Sequence, residues 1–86
     1  GMMKTFYLND LIKINHPLAD RISVQDSPSH YAGKFTSEVA FFRGGHFVTE
    51  LIEPFAKYAD AVCSDTLTYG WVPNNLIEEF LNTYRA

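Results

Sequence analysis

The stretch "KFTSEVAFFRGGHFVTELI", Lys34 to Ile52, constrains this chain more than any other. Two extended apolar runs meet at Gly44-Gly45. Adjacent glycines accept the positive φ angles that a tight two-residue hairpin turn requires. Pairing Arg43 with His46 sets Phe42 opposite Phe47 and Phe41 opposite Val48. Strand alternation then divides the hairpin into two faces. Phe42, Phe47, Ala40 and Leu51 share one, read as the core. Val39, Phe41 and Val48 share the other with Arg43, His46 and Glu50, read as a mixed face near solvent or a subunit boundary. A helix competes for part of this stretch, because Phe47, Val48, Leu51, Ile52, Phe55 and Ala59 also have helical spacing. Pro54 would sit inside that helix and cost about 3 kcal/mol. The reading is therefore strand to Ile52 and a short helix from Pro54 through Ala59.

The flanking segments fit a β-rich domain. Thr5 to Asn15, "TFYLNDLIKIN", accommodates a short helix or a strand, and strand is preferred. "HPLAD" from His16 is a turn, since proline disfavours helix in the residue before it. "RISVQ", Arg21 to Gln25, alternates and reads as a strand, and "DSPSH" from Asp26 as a loop. Asp60 to Asp65 reads as a connection. "TLTYGWV" from Thr66 is rich in β-branched and aromatic residues and reads as a strand stopped by Pro73. Asn74 or Asn75 is placed to cap a helix carrying an apolar stripe of Leu76, Ile77, Phe80, Leu81 and Tyr84. Glu78 and Glu79 fall in its first turn and Arg85 at its end, matching the helix dipole. Whether 76–85 is helical throughout stays open.

Residues 2–86 are read as one domain, with Gly1 a remnant of an expression tag. A domain of this size buries a modest core and gains from self-association. Cys63 is the only cysteine, so there is no disulfide framework. It reads as a small apolar core residue. Aromatic residues make up 15% of the chain, as the filling of a small barrel requires. No apolar run reaches the roughly 18 residues needed to span a bilayer, and no secretory signal is visible. The expectation is a cytoplasmic protein with no membrane partner. The net charge of −3 excludes a whole-molecule basic field for phosphate binding.

Catalytic and metal motifs are lacking. His16, His30 and His46 match no ligand spacing. Asp60 and Asp65 near Cys63 oppose thiolate formation. Gly44-Gly45 lies in a hairpin and not in a phosphate-binding loop. No catalytic residue, metal or small-molecule cofactor is expected.

"GWVPNNL", Gly70 to Leu76, resembles the closing segment of Src-homology-3-like barrels, where an aromatic strand runs into a one-turn helix at Pro-x-Asn. "YAGKFTSEVAFFRGGHFVTEL", Tyr31 to Leu51, resembles the middle of KOW-type and Sm-like barrels. From Tyr31 to Leu76 the likeness spans a little over half the chain. It implies a mainly β fold, a small five-stranded barrel with a short C-terminal helix. Leu76 stands where peptide-binding Src-homology-3 domains have a groove Tyr, which argues against proline-rich ligands. Val39 and Arg43 stand at the uridine-reading Asp and Asn of Sm-like proteins. Tyr69-Gly70 stands at their second signature, Arg-Gly. These departures argue against the usual uridine pocket.

The chain is also similar to small Sm-like proteins of phages and their bacterial hosts. That likeness implies a homo-oligomeric ring, strand edges paired between subunits, and RNA or single-stranded nucleic acid as ligand. Tyr31, Tyr69 and Trp71 are candidates to stack on bases, with Tyr69 and Trp71 on one face by alternation. Lys34, Arg43 and His46 are candidates for phosphate or base contact. The competing use of the aromatics is to fill the core, and of the cations to solvate loops. The alternative function is a protein-interaction or structural subunit, with Leu76, Phe80 and Tyr84 docking on a neighbour.

Overall fold

A computed structural model describes residues 10–26, 35–63 and 65–86. It is an antiparallel sheet backed by one C-terminal helix. The strands are β1 (Asp10–Lys13), β2 (Arg21–Gln25), β3 (Thr36–Arg43), β4 (His46–Phe47), β5 (Ala59–Cys63) and β6 (Thr66–Pro73), and the helix is α1 (Asn74–Tyr84). The sheet order is β1-β2-β3-β6-β5, with β4 paired to the far end of β3.

β3 is the spine. Residues 38–42 pair with β2 along one edge. Its other edge is shared, Thr36–Val39 pairing with β6 and Phe42–Arg43 with β4. The hairpin register is the one the glycines predict, Phe42 against Phe47 and Arg43 against His46. Gly44 and Gly45 take φ of 58° and 82°. The partner strand is much shorter than the expected run to Ile52. It ends at Phe47, although the Val48 amide still donates to the Phe41 carbonyl at 2.9 Å. Beyond Ile52, the expected helix from Pro54 reduces to one 3-10 turn, Ala56–Tyr58.

The faces of the hairpin are the reverse of those expected. Val39, Phe41 and Val48 are buried, whereas of the residues read as core only the small Ala40 is buried, Phe42 and Phe47 are partly covered and Leu51 is 55% exposed. The "VAFF" run is apolar on both faces, so alternation alone does not say which one α1 covers. Phe41 lies 5.6 Å from Phe55, 5.7 Å from Tyr69 and 5.5 Å from Phe80, ring centre to ring centre. This aromatic cluster, joined by Ile22, Leu67, Val72 and Ile77, is the core between sheet and helix.

Two further expectations fail, one on β5 and one on β6. The 60–65 connection is largely strand, since β5 runs to Cys63 and pairs that residue with Thr66. The register of β6 against β3 also slips, with Ser37 facing Val72 but Val39 facing Tyr69. Three steps on β6 thus match two on β3, a bulge. It falls at Gly70–Trp71, and Trp71 has φ 56°. The bulge breaks alternation, so Tyr69 is buried and Trp71 is 55% exposed. They do not share a face.

α1 starts one residue after Pro73, which occupies the N-cap with no side-chain cap bond. Asn74 is therefore the first helical residue and does not cap. Its side-chain oxygen accepts a hydrogen bond from the buried Ser37 hydroxyl at 2.6 Å. Glu78 and Glu79 lie past the first turn, and Arg85 is the C-cap, beyond the last. Ile77, Phe80 and Leu81 are buried against the sheet.

The sheet does not close into a barrel. Among the described residues, β5 pairs only with β6, and no pairing joins it to β1. The free edge of β1 is met instead by the chain's last residues. Ile14 bridges Arg85, Asn15 N–H donates to Tyr84 O at 2.6 Å, and Ala86 N–H to Lys13 O at 3.2 Å. The helix thus spans from the middle of the sheet to one edge, and the five-stranded closed wall is replaced by an open, six-stranded one.

Candidate binding surface

The face of the sheet turned away from α1 carries a groove of about 620 Å³. Alternation builds it. Leu11 of β1 stands opposite Ser23 of β2, which stands opposite Ala40 of β3. One pair along, Lys13 faces Arg21, and Arg21 faces Phe42. Leu11 and Phe42 form apolar walls, Ser23 a small floor, and Gln25, Asp20, Arg21 and the Gly44-Gly45 turn the remaining rim. Leu11 is 59% exposed. Phe42 is steadied by Phe47, whose ring centre lies 4.6 Å away.

The hairpin tip is fixed to the loop between β1 and β2. Arg43 Nε donates to Leu18 O at 3.1 Å, and its terminal nitrogen donates to Pro17 O at 2.8 Å and, at 3.5 Å, to His16 O. Asp20 completes the seam, its carboxylate accepting from Gly44 N–H at 3.0 Å and its own N–H donating to Phe42 O at 2.9 Å. Arg43 is thus engaged by three backbone carbonyls. The wall of the groove next to the turn is held in place by that seam.

His16 sits at the other end of the same loop. Its Nδ1 accepts from Leu18 N–H at 3.1 Å, and its ring lies 4.7 Å from Tyr84 and 5.7 Å from Phe80. Burial, and secondarily the Arg43 charge, lower its pKa from the ordinary imidazole value. Tyr69 is fully buried and its hydroxyl accepts from Ile52 N–H at 3.1 Å. Burial raises its pKa and the Glu53 charge adds to this, against the opposing effect of the Ile52 bond.

Among the described residues, the proposed nucleic-acid candidates are not gathered by the fold. Tyr31 and Lys34 lie outside the described residues. Tyr69 is in the core, Trp71 is on the surface at the bulge, and Arg43 is bound to the 16–18 loop. His46 is exposed beside Phe47, Thr49, Asp65 and Thr66 in a separate depression of about 440 Å³. Of the proposed interface residues, Phe80 is in the core, while Leu76 and Tyr84 are half-buried against it. The groove residues Leu11, Arg21, Ser23 and Phe42 are missed by motif reading. The signal was present in the alternation of "LIK" and "RISVQ", but it becomes a surface only once their mutual register is known.

The fold and this surface define a small open β-sheet protein with one helix-covered face and one grooved face. Comparison with protein-family models, curated proteins and solved structures finds no significant match. Among the described residues, no helix is long and apolar enough to cross a membrane, and no three His, Cys, Asp or Glu side chains are grouped to hold a metal ion.

Proposed function

We propose that this chain is a non-enzymatic protein-interaction or structural subunit that binds through the grooved face of its sheet. One observation carries the reading: apolar walls at Leu11 and Phe42 over a small Ser23 floor, on a sheet face that no described element covers. Sheets ordinarily bury an apolar face against another layer. The acidic balance of the chain and the engagement of Arg43 by backbone carbonyls favour a protein partner over a polyanion. The test is capture from a nuclease-treated lysate with the wild-type chain and with Leu11→Asp. A protein retained by the first and lost by the second supports the reading. Retention that ignores the substitution ends it.

A second reading is supported by Trp71, the chain's single tryptophan, which stands 55% exposed at the bulge. An exposed indole is a platform for a nucleobase, as expected of an Sm-like RNA-binding protein. Titrating intrinsic fluorescence with poly-uridine at low salt tests it. Saturable quenching supports base stacking, and an emission spectrum that never changes rules it out.

A further inference from the structure

Three parts of the molecule meet at the loop between β1 and β2, and His16 stands at their junction. The loop is closed at its base, where Ile14 N–H donates to Asp20 O at 3.1 Å. Within it, His16 Nδ1 accepts from Leu18 N–H at 3.1 Å. That bond fixes the tautomer, with the lone pair on Nδ1 and the ring proton on Nε2. The carbonyls of the same loop hold the hairpin tip through Arg43, Pro17 O at 2.8 Å and Leu18 O at 3.1 Å. The ring also packs on α1, against Phe80 and Tyr84, and the preceding Asn15 N–H donates to Tyr84 O. Among the described residues, the groups around the ring do not balance a positive charge. Arg43 is a cation that bears on it from the hairpin. Asp20, in the same loop, already gives its carboxylate to Gly44 N–H and lies 3.8 Å from Arg21. Lys13 of β1 and Arg85 at the C-cap of α1 are cations, and Tyr84 presents a phenol. Leu76, Phe80 and Tyr84 follow one another at four-residue spacing on the helix, and no carboxylate lies in that row.

We infer that His16 is an acid-sensitive latch, whose protonation opens the 16–18 loop and releases the Arg43 clamp on one side and the end of α1 on the other. A proton on Nδ1 turns the acceptor of the Leu18 bond into a donor, so that two N–H groups face each other. The new charge also stands beside the Arg43 guanidinium, and the two repel across one short loop. Partial burial of the ring adds to the cost of charging it. The base of the loop is bonded independently of the ring, by Ile14 N–H to Asp20 O and by Asp20 N–H to Phe42 O. The opening is therefore local, confined to the loop, the hairpin tip and the end of the helix. The inference does not depend on what the groove binds, although Asp20 and Gly44 belong both to the seam and to the groove.

NMR of the whole chain across the imidazole range, about pH 7.5 to 5, tests this. Three signals follow the latch: the Arg43 Nε–H resonance and the exchange protection of the Asn15 and Ala86 amides, corrected for the intrinsic pH dependence of exchange. All three should change with the midpoint of the His16 ring. Amide protection should fall by about tenfold for each pH unit that separates the closed from the open imidazole midpoint. The amides of Val39 to Phe42 in β3 should keep their protection throughout, which separates a local opening from acid unfolding. His16→Asn keeps an acceptor for Leu18 N–H but cannot titrate, so it should abolish the transition. Arg43→Gln removes the neighbouring charge and should raise the His16 midpoint. Circular dichroism confirms that each variant is folded. Signals that pass through the His16 midpoint unchanged overturn the inference. So does a transition that persists in His16→Asn, a His16 midpoint that ignores Arg43→Gln, or a loss of protection that β3 shares.

Discussion

Trp71 shows how a single backbone angle redirects a side chain. A bulky residue at φ 56° is strained by about 1–2 kcal/mol relative to glycine. Alanine at this position would keep the strain and lose the indole's contacts, whereas glycine would lose the contacts and the strain together. Trp71→Gly is therefore expected to be more stable than Trp71→Ala by about 1 kcal/mol in urea unfolding, the reverse of the usual order within strands. His16 offers a second measurement. Its folded pKa is lowered, so the unfolded chain takes up the proton first. The stability it confers is complete above the ordinary imidazole pKa of about 6.5 and is lost as pH falls through the folded value. The imidazole is half-buried, which keeps the effect small. His16→Asn retains an acceptor for the Leu18 amide but cannot titrate, so it should flatten the acid side of the stability profile. By NMR the His16 imidazole, assigned by its loss in His16→Asn, should titrate below the ordinary imidazole range. Neither role shows in the sequence. "HPLAD" announces a turn but not that Arg43, 25 residues from Leu18, will clamp it.

At the scale of elements, the junction of β6 and α1 depends on one buried polar pair. Ser37 Oγ donates to Asn74 Oδ1 at 2.6 Å, while Asn74 Nδ2 is buried with no partner. An orphaned buried polar atom costs about 1–3 kcal/mol. Ser37→Ala would strand the amide oxygen as well, so it should destabilise by that order. In an Asn74→Ala background the same serine change should cost differently, giving a coupling of about 1 kcal/mol or more in a double-mutant cycle. Additive single effects would mean the bond contributes nothing. The sequence announces a helix after Pro73 through the spacing of Ile77, Phe80 and Leu81. It conceals that Asn74 turns inward, because asparagine before a helical run ordinarily marks a cap. β5 was hidden for a different reason. "ADAVC" holds two alanines and an aspartate, residues depleted in strands, and among the described residues it is held by β6 on one side only. Its pairing is a property of the sheet more than of its own residues.

For the whole molecule, the question is what seals the ends of the sheet. A closed barrel would bond β1 to β5 and protect both edges. Here β1 is met by Arg85 and Ala86, and β5 has only β6 as a partner among the described residues. Both are short, which limits what an open edge exposes for mispairing. The strand content and the central hairpin were legible because glycine, proline and alternation act locally. Closure was not, because it depends on where the last two residues reach after an 11-residue helix. Amide hydrogen exchange distinguishes the two architectures. β3 is bonded along both edges, so the amides of Val39 to Phe42 should exchange only through global unfolding. Amides of β5 that do not point at β6 should exchange orders of magnitude faster, at rates set by local opening. Asn15 and Ala86, which donate to Tyr84 O and to Lys13 O, should be protected together, and removal of residues 84–86 should expose the Asn15 amide to fast exchange. Uniformly slow exchange across β1 and β5 in a monomer would mean that those edges bond to each other and that the sheet is closed.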